Sequence, residues 1–302
     1  MTSSGNSCVD CSSIKESLDR LRAEIPKLKT IADSFEDLFV GLASTKDMIP
    51  SISVEKSELD TIRFSQGVPI LRDWKVNIPA DQFLVSAQSV IPAMQACFPN
   101  IMEKLDMYLE YIKTNQDEPI ELLLQDQMNS SKSFLDMSKA LSLEDEITAF
   151  ITTIILKPFA EKIAESLNPL PADLNWNKGY CPICGSWPEV SFIRGAEGKR
   201  SLRCSFCAFE WAFPRLMCPF CETTDQTKLE LYYSDDRSFE RAELCNDCKK
   251  YIVSLDTRNM ISIPAPQVTA LGMIYLDILA QEKGYSPGAI CAWNVIDGEK
   301  PK

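Results

Sequence analysis

The 302-residue chain contains no histidine. That absence removes the commonest general base and imidazole ligation together. Glycine is scarce, eleven residues against eighteen prolines, so proline is the main mark of element boundaries. The longest apolar run, residues 147–156, is too short to cross a bilayer and stops at Lys157. The opening residues, MTSSGNSCVD, are polar and carry no basic, apolar leader, so no signal peptide is read there. An excess of positive charge is lacking too, because the formal net charge is −12. Residues 172–260 hold twelve Lys/Arg and thirteen Asp/Glu, so nearly all of that excess lies outside them. A chain without a positive field does not displace counterions from nucleic acid, although a local patch at Lys199, Arg200 and Arg203 is conceivable. The expectation is an acidic scaffold with no nucleic-acid partner and no stable membrane insertion.

What the chain does have is cysteine, twelve residues of it. Eight fall in four C-x-x-C pairs: Cys181/Cys184, Cys204/Cys207, Cys218/Cys221 and Cys245/Cys248, separated by 19, 10 and 23 residues. A C-x-x-C turn puts two sulfurs on one side of a tight knuckle, half of a tetrahedral site, and a second knuckle completes it. The long–short–long spacing most simply yields two sites, Cys181/Cys184/Cys204/Cys207 and Cys218/Cys221/Cys245/Cys248. A crossed pairing is the alternative. Each site would hold one tetrahedral ion, Zn or Fe, through four thiolates, and thiolate ligation does not choose between them. With zinc such a site is a structural staple; with iron it could pass one electron. Four thiolates leave no open position, so metal-assisted hydrolysis is not expected. Paired knuckles, the missing leader and a body large enough to fold unaided favour reduced, metal-bound thiolates in the cytoplasm.

Before residue 170 the chain reads as helices. Residues 12–40 carry one apolar face, with a kink expected at Pro26. A short helix is expected at 54–64 and an extended connector at 74–79. Residues 81–112 repeat the helical pattern, with Pro92 and Pro99 as breakers. Further helices are expected at 118–128 and 144–167, the second opening from a capping box at Ser142 and broken at Pro158. Cys97 and Cys291 read as small buried hydrophobes, and Glu144, Asp145 and Glu146 as helix-start charges. Cys8-Val-Asp-Cys11 is a fifth pair without a second knuckle, read as a lead-in to the first helix.

A proline-rich stretch at 168–173 marks a boundary. Beyond it, short strands are expected at 190–193, around 202, and at 209–213, 228–233, 239–243 and 252–255, with turns at 195–198 and 234–237. A closing helix follows the prolines at 264 and 266, with Gly284 as its C-cap. The expected fold class is α+β and multidomain: a helical domain (1–170), two four-cysteine modules of zinc-ribbon type (171–216 and 217–263), and a C-terminal helix and tail (264–302).

The words CPICGSWP, RSLRCSFCAFEW, CPFC, RAELCNDCKKYI and LDILAQEKGY, with Arg215 and the Tyr-Tyr-Ser at 232–234, resemble the FdhE family, the formate dehydrogenase accessory proteins. The resemblance covers about the last 125 residues. Where the family often has a histidine after Glu-Trp, this chain has Ala212. The resemblance implies a non-catalytic cytoplasmic chaperone that binds the formate dehydrogenase catalytic subunit and supports its maturation. It also implies rubredoxin-like sites able to hold iron. An electron carrier and, less in keeping with the charge, a nucleic-acid-binding ribbon protein are the alternatives. Arg194, Arg200, Arg203 and Arg215 could form a basic face or pair with Glu197, Glu210 and Glu222. Trp187, Phe206, Phe209, Trp211 and Phe220 are expected to pack between the ribbons.

Overall fold

The computed structural model describes residues 11–50, 60–72, 76–115, 120–121, 132–168 and 176–294. The described residues form two compact units. One takes in 11–50 and the described residues between 70 and 168; the other combines 60–69 with 176–294.

The first unit is helical. Helices α1 (Cys11–Glu24) and α2 (Lys29–Met48) are separated by a turn of 3-10 helix at Pro26–Leu28. Pro26 therefore ends a helix where the pattern predicts a kink. A residue before proline is pushed out of the α region, and Ile25 sits at φ −130°, ψ 77°. The two helices fold back on each other, so Arg22 reaches Asp33 (2.7 Å) and Glu36 (2.5 Å). The same device recurs between α4 (Ala80–Cys97) and α5 (Met102–Thr114), where Phe98 takes φ −130°, ψ 67° before Pro99. Pro92, by contrast, stays inside α4.

Helix α6 (Lys132–Leu141) leads to α7 (Asp145–Ser166), which runs through Pro158 rather than breaking there. The Ser86 hydroxyl of α4 donates to the Ile155 carbonyl at 2.8 Å, beside the turn that Pro158 disturbs. The expected capping box is not made. Ser142 lies at φ 52°, in the turn leaving α6, and Glu144 precedes α7 without a side-chain cap. The core gathers Leu18, Phe35, Phe83, Val90, Leu105, Ile155 and Phe159, all buried. Inside it the Tyr108 hydroxyl bonds the Thr152 hydroxyl, which donates to the Thr148 carbonyl. Residues 120–121 are no helix: as β2 (Ile120–Glu121) they pair with β1 (Asn77–Ile78). The rest of the 118–128 expectation, residues 54–59 of the expected short helix and Cys8 lie outside the described residues.

The second unit opens with α3 (Thr61–Ser65), capped by the Asp60 carboxylate. Its body is a seven-stranded sheet. Antiparallel β3 (Pro188–Arg194), β4 (Lys199–Cys204) and β5 (Glu210–Ala212) make one ribbon. Antiparallel β6 (Leu229–Tyr232), β7 (Glu240–Cys245) and β8 (Lys250–Asp256) make the other. Parallel pairing of β3 with β8, Val190 opposite Val253, joins them into the order β5-β4-β3-β8-β7-β6. Alternate residues Val190, Phe192, Ala242, Leu244, Val253 and Leu255 pack against Met273, which joins the closing helices, and against Leu276 and Ala280 of the second.

The expected single closing helix is two, α8 (Pro266–Gly272) and α9 (Ile274–Glu282). Gly284 at φ 83° ends α9: its N–H donates to the Gln281 carbonyl, and that of Tyr285 to Ala280. Strand β9 (Ser286–Pro287) then pairs parallel with the start of β8. Among the described residues no helix is long and apolar enough to cross a membrane.

Candidate metal centres

Each ribbon builds one quartet from a free-standing knuckle and a hairpin turn. In the first, Cys181 and Cys184 precede β3, Cys204 ends β4 and Cys207 lies in the β4–β5 turn. In the second, Cys218 and Cys221 precede β6, Cys245 ends β7 and Cys248 lies in the β7–β8 turn. The structure brings the eight cysteines together in the sequential pairing: Cys181, Cys184, Cys204 and Cys207 form one group, and Cys218, Cys221, Cys245 and Cys248 the other.

All four knuckles close the same way. The residue after the second cysteine is left-handed in each: Gly185 (φ 80°), Ala208 (57°), Glu222 (59°) and Lys249 (56°). At three of them its N–H donates to the first cysteine's carbonyl: Gly185 to Cys181 at 2.9 Å, Glu222 to Cys218 at 3.0 Å, Lys249 to Cys245 at 2.9 Å. The left-handed step reverses the chain so tightly that both sulfurs face one point. Only one of the four is glycine, so three accept the cost of a side chain there.

The sulfurs of the first quartet approach to 3.5 Å (Cys181–Cys207) and 3.4 Å (Cys184–Cys204). Those of the second approach to 3.7 Å (Cys218–Cys248) and 3.6 Å (Cys221–Cys245). Within each group every pair lies within 4.8 Å. Metal–sulfur bonds of about 2.3 Å in a tetrahedron put sulfurs roughly 3.8 Å apart, so both donor sets fit one thiophilic ion. Backbone N–H groups also point at the sulfurs, Ile183 at Cys181, Phe206 and Cys207 at Cys204, and Phe220 at Cys218, each at 3.4 Å. They stabilise negative sulfur.

The electrostatics divide each quartet. Burial pushes the thiols of Cys181 and Cys207 well above the ordinary value; hydrogen bonds to Cys184 and Cys204 add to it at both, while that to Cys207 opposes it at Cys181. At Cys184 burial also acts upward, but hydrogen bonds from Cys181, Cys204 and Cys207 outweigh it and hold the thiol well below that value. Burial raises Cys248 to about 11, while at Cys245 backbone N–H donors outweigh burial and lower it. A metal ion would allow four thiolates to share such a space.

The arginines do not make a basic face. Arg203 is buried in a pair with Glu189, and Arg194 pairs with Glu210. Arg200 is buried too: its guanidinium donates to Ser191, to the carbonyls of Pro214 and Met217, and meets Glu243 of β7 at 2.5 Å. It thus ties β4, the inter-ribbon linker and the second ribbon together. Arg215 is exposed. Phe206, Phe209 and Trp211 are buried, while Trp187 and Phe220 are half-buried and meet edge-on at 5.6 Å. Cys97 lies half-buried, its thiol donating to the Ser34 carbonyl and pushed up to about 12 by burial. Cys291 is buried.

Other parts of the centres carry little sequence signal. Tyr180, beside the first knuckle, donates to the Gly67 carbonyl at 2.7 Å, and Trp176 stacks on Phe64 at 4.8 Å. Residues 60–69 are thereby part of the ribbon unit. Asn246, inside the last knuckle, accepts from the Tyr285 hydroxyl at 2.8 Å.

Comparison with known proteins agrees with this geometry. Residues 180–215 match the model of the FdhE central domain. The chain is 26% identical to the FdhE homolog of Aquifex aeolicus over 78% of this chain and 77% of that one. It is 29% identical to the FdhE protein of Escherichia coli over 53% of this chain and 54% of that one, and so spans about half the length of that relative. The crystal structure of the FdhE protein from Pseudomonas aeruginosa superposes with a TM-score of 0.59, covering 93% of this chain and 94% of that one at 19% identity. The resemblance to FdhE read from the cysteine pairs and their flanking words therefore holds in family model, sequence and fold.

Proposed function

We propose that the protein is an accessory protein of formate dehydrogenase, one that binds the catalytic subunit and supports its maturation in the cytoplasm without catalysing a reaction itself. The observation that carries this reading is the pair of complete four-thiolate quartets on one sheet, in a chain whose flanking words and fold are those of FdhE proteins. Cys181, Cys184, Cys204 and Cys207 hold one ion and Cys218, Cys221, Cys245 and Cys248 the other. Bound Zn²⁺ or Fe would cross-link each knuckle to its hairpin, and with iron it would also supply one-electron chemistry. The chain's own residues set the site: the left-handed steps aim the sulfurs, and backbone N–H groups stabilise their charge. Four sulfurs leave no position for substrate, which favours a structural role over a hydrolytic one.

The test is an anaerobic affinity pull-down from the native host with mass spectrometry of the bound proteins. Recovery of a formate dehydrogenase catalytic subunit, lost when Cys181 and Cys184 are replaced by serine, is the expected result. Its absence from the wild-type pull-down would sink the reading. A rubredoxin-like electron carrier is the second reading, favoured by the exposure of Cys221 at the second quartet. It requires iron that cycles reversibly, so full activity of zinc-only protein would dismiss it.

A further inference from the structure

The two quartets are unequal. No cysteine of the first is more than 2% exposed. In the second, Cys218 and Cys245 are buried, but Cys248 is half-buried and Cys221 is exposed. A chelator or an alkylating reagent must reach a sulfur to begin displacing an ion. At the first quartet that waits for local opening of the fold; at the second, Cys221 already meets solvent.

An independent observation concerns what rests on the second quartet. After α9 the chain crosses both of its knuckles. The Tyr285 hydroxyl donates to Asn246, inside the Cys245–Cys248 turn, and the Lys249 ammonium lies 5.2 Å from the Tyr285 ring. The Ser286 N–H donates to the Lys249 carbonyl at 2.8 Å, and the Gly288 N–H to Tyr251 at 3.0 Å. Gly288 is pressed against the ring of Phe220, one of the two residues between Cys218 and Cys221, so closely that a Cβ there would collide with it. Residues 285–288 are thus gripped by Phe220 from one knuckle and by Asn246 and Lys249 from the other. An ion shared by the two knuckles would fix those grips relative to one another.

We propose that the Cys218/Cys221/Cys245/Cys248 centre is a releasable metal site whose occupancy fastens residues 285–288, while the Cys181/Cys184/Cys204/Cys207 centre is a permanent staple. The proposal rests on the reading that each quartet holds one divalent ion. On release the ion passes to the chelator and the freed thiolates take protons from solvent. The two knuckles then separate, and the strand pairing of Ser286 and Pro287 loses its support.

The experiment uses the full chain loaded with two equivalents of Zn²⁺ and challenged with 4-(2-pyridylazo)resorcinol. Iodoacetamide is present to trap freed thiolates: a sulfur–carbon bond forms as the carbon–iodine bond breaks, and iodide leaves. Two phases are expected. The first releases one equivalent and labels Cys218, Cys221, Cys245 and Cys248, while the other four stay protected. Amide exchange at Ser286 and Gly288 rises with that first equivalent, and exchange in β3 and β4 does not. Tyr285→Phe keeps the ring but loses the bond to Asn246, and it speeds the first phase about tenfold, leaving the second unchanged. Release of both ions in one phase, labelling of the first quartet ahead of the second, or unchanged exchange at Ser286 and Gly288 would each overturn the proposal. Loading that saturates below two ions overturns the two-centre reading beneath it. The pull-down outcome is independent of all of these.

Discussion

The α-carbon of Gly179 is pressed against the main chain of Pro219, so that a Cβ at Gly179 would collide with the Pro219 carbonyl. Gly179 leads into the first quartet and Pro219 lies between two ligands of the second. The two centres therefore touch through backbone, where neither side has a flexible group to move aside. Gly179→Ala is expected to destabilise the zinc-loaded protein by about 1–3 kcal/mol, the usual cost of overfilling a packed site. Urea denaturation compared with wild type checks it; an unchanged midpoint would mean the two segments part easily.

Arg203 and Glu189 form an ion pair with side chains only 6% and 2% exposed. Removing one partner strands a buried charge, which typically costs about 3–5 kcal/mol, whereas removing both avoids that penalty. Arg203→Met and Glu189→Met should each destabilise strongly, and the double variant less than either. A double variant that loses the sum of the two single losses would show that each residue acts through other contacts.

Asp277 is buried against Tyr251, whose hydroxyl donates to one carboxyl oxygen at 2.8 Å, and the other oxygen has no hydrogen-bond partner among the described residues. Burial raises its pKa to about 7, and the Tyr251 bond opposes this only in part. The unfolded group ionises near its ordinary value of about 3.9. Between those limits the folded chain holds the extra proton, so this residue's contribution to stability falls as pH rises from about 4 to 7. The slope approaches about 1.4 kcal/mol per unit at most. Asp277→Asn removes the slope, and the stability difference between variant and wild type should grow in the variant's favour from pH 5 to pH 8. Denaturation curves at both pH values measure it; a constant difference would mean that the carboxyl is ionised throughout.

Ala208 and Gly284 make a complementary pair. Ala208 holds φ 57° with a side chain, and Gly284 holds φ 83° with open space around its α-carbon. Left-handed backbone costs a side-chain-bearing residue roughly 1–2 kcal/mol. Ala208→Gly should therefore be neutral or slightly stabilising, and Gly284→Ala destabilising by about 1 kcal/mol. Thermal melts of both zinc-loaded variants test the sign at each position.

The cysteine framework and most strands were legible because their signals are local. A C-x-x-C turn is complete within six residues, and the alternation of Val190 and Phe192 or Val253 and Leu255 marks one face without knowledge of the partner strand. The proline positions were legible but their outcomes were not. Pro26 and Pro99 end helices because Ile25 and Phe98 leave the α region, whereas Pro92 and Pro158 are carried inside helices packed against others. The Ser142 capping pattern was overridden by the turn closing α6, and residues 120–121 by pairing with 77–78. The placement of 60–69 beside Tyr180, the grip of Asn246 on Tyr285 and the pairing of β3 with β8 depend on partners 39 to more than 100 positions away. No window of sequence contains both sides of those contacts.

The parallel β3–β8 pairing joins a strand to one about sixty residues later in the chain. On the reading that each quartet holds one ion, the first ribbon has its full set of four sulfurs at residue 207, ahead of every sulfur of the second in the chain. Its β3 edge then waits, with unpaired N–H and carbonyl groups, until β8 is complete at Asp256. An open edge of this kind is a template for another chain. On the same reading, metal supply during synthesis would govern more than final occupancy: a first ribbon rigidified early would hold that edge straight, ready for its own strand or for a neighbour's.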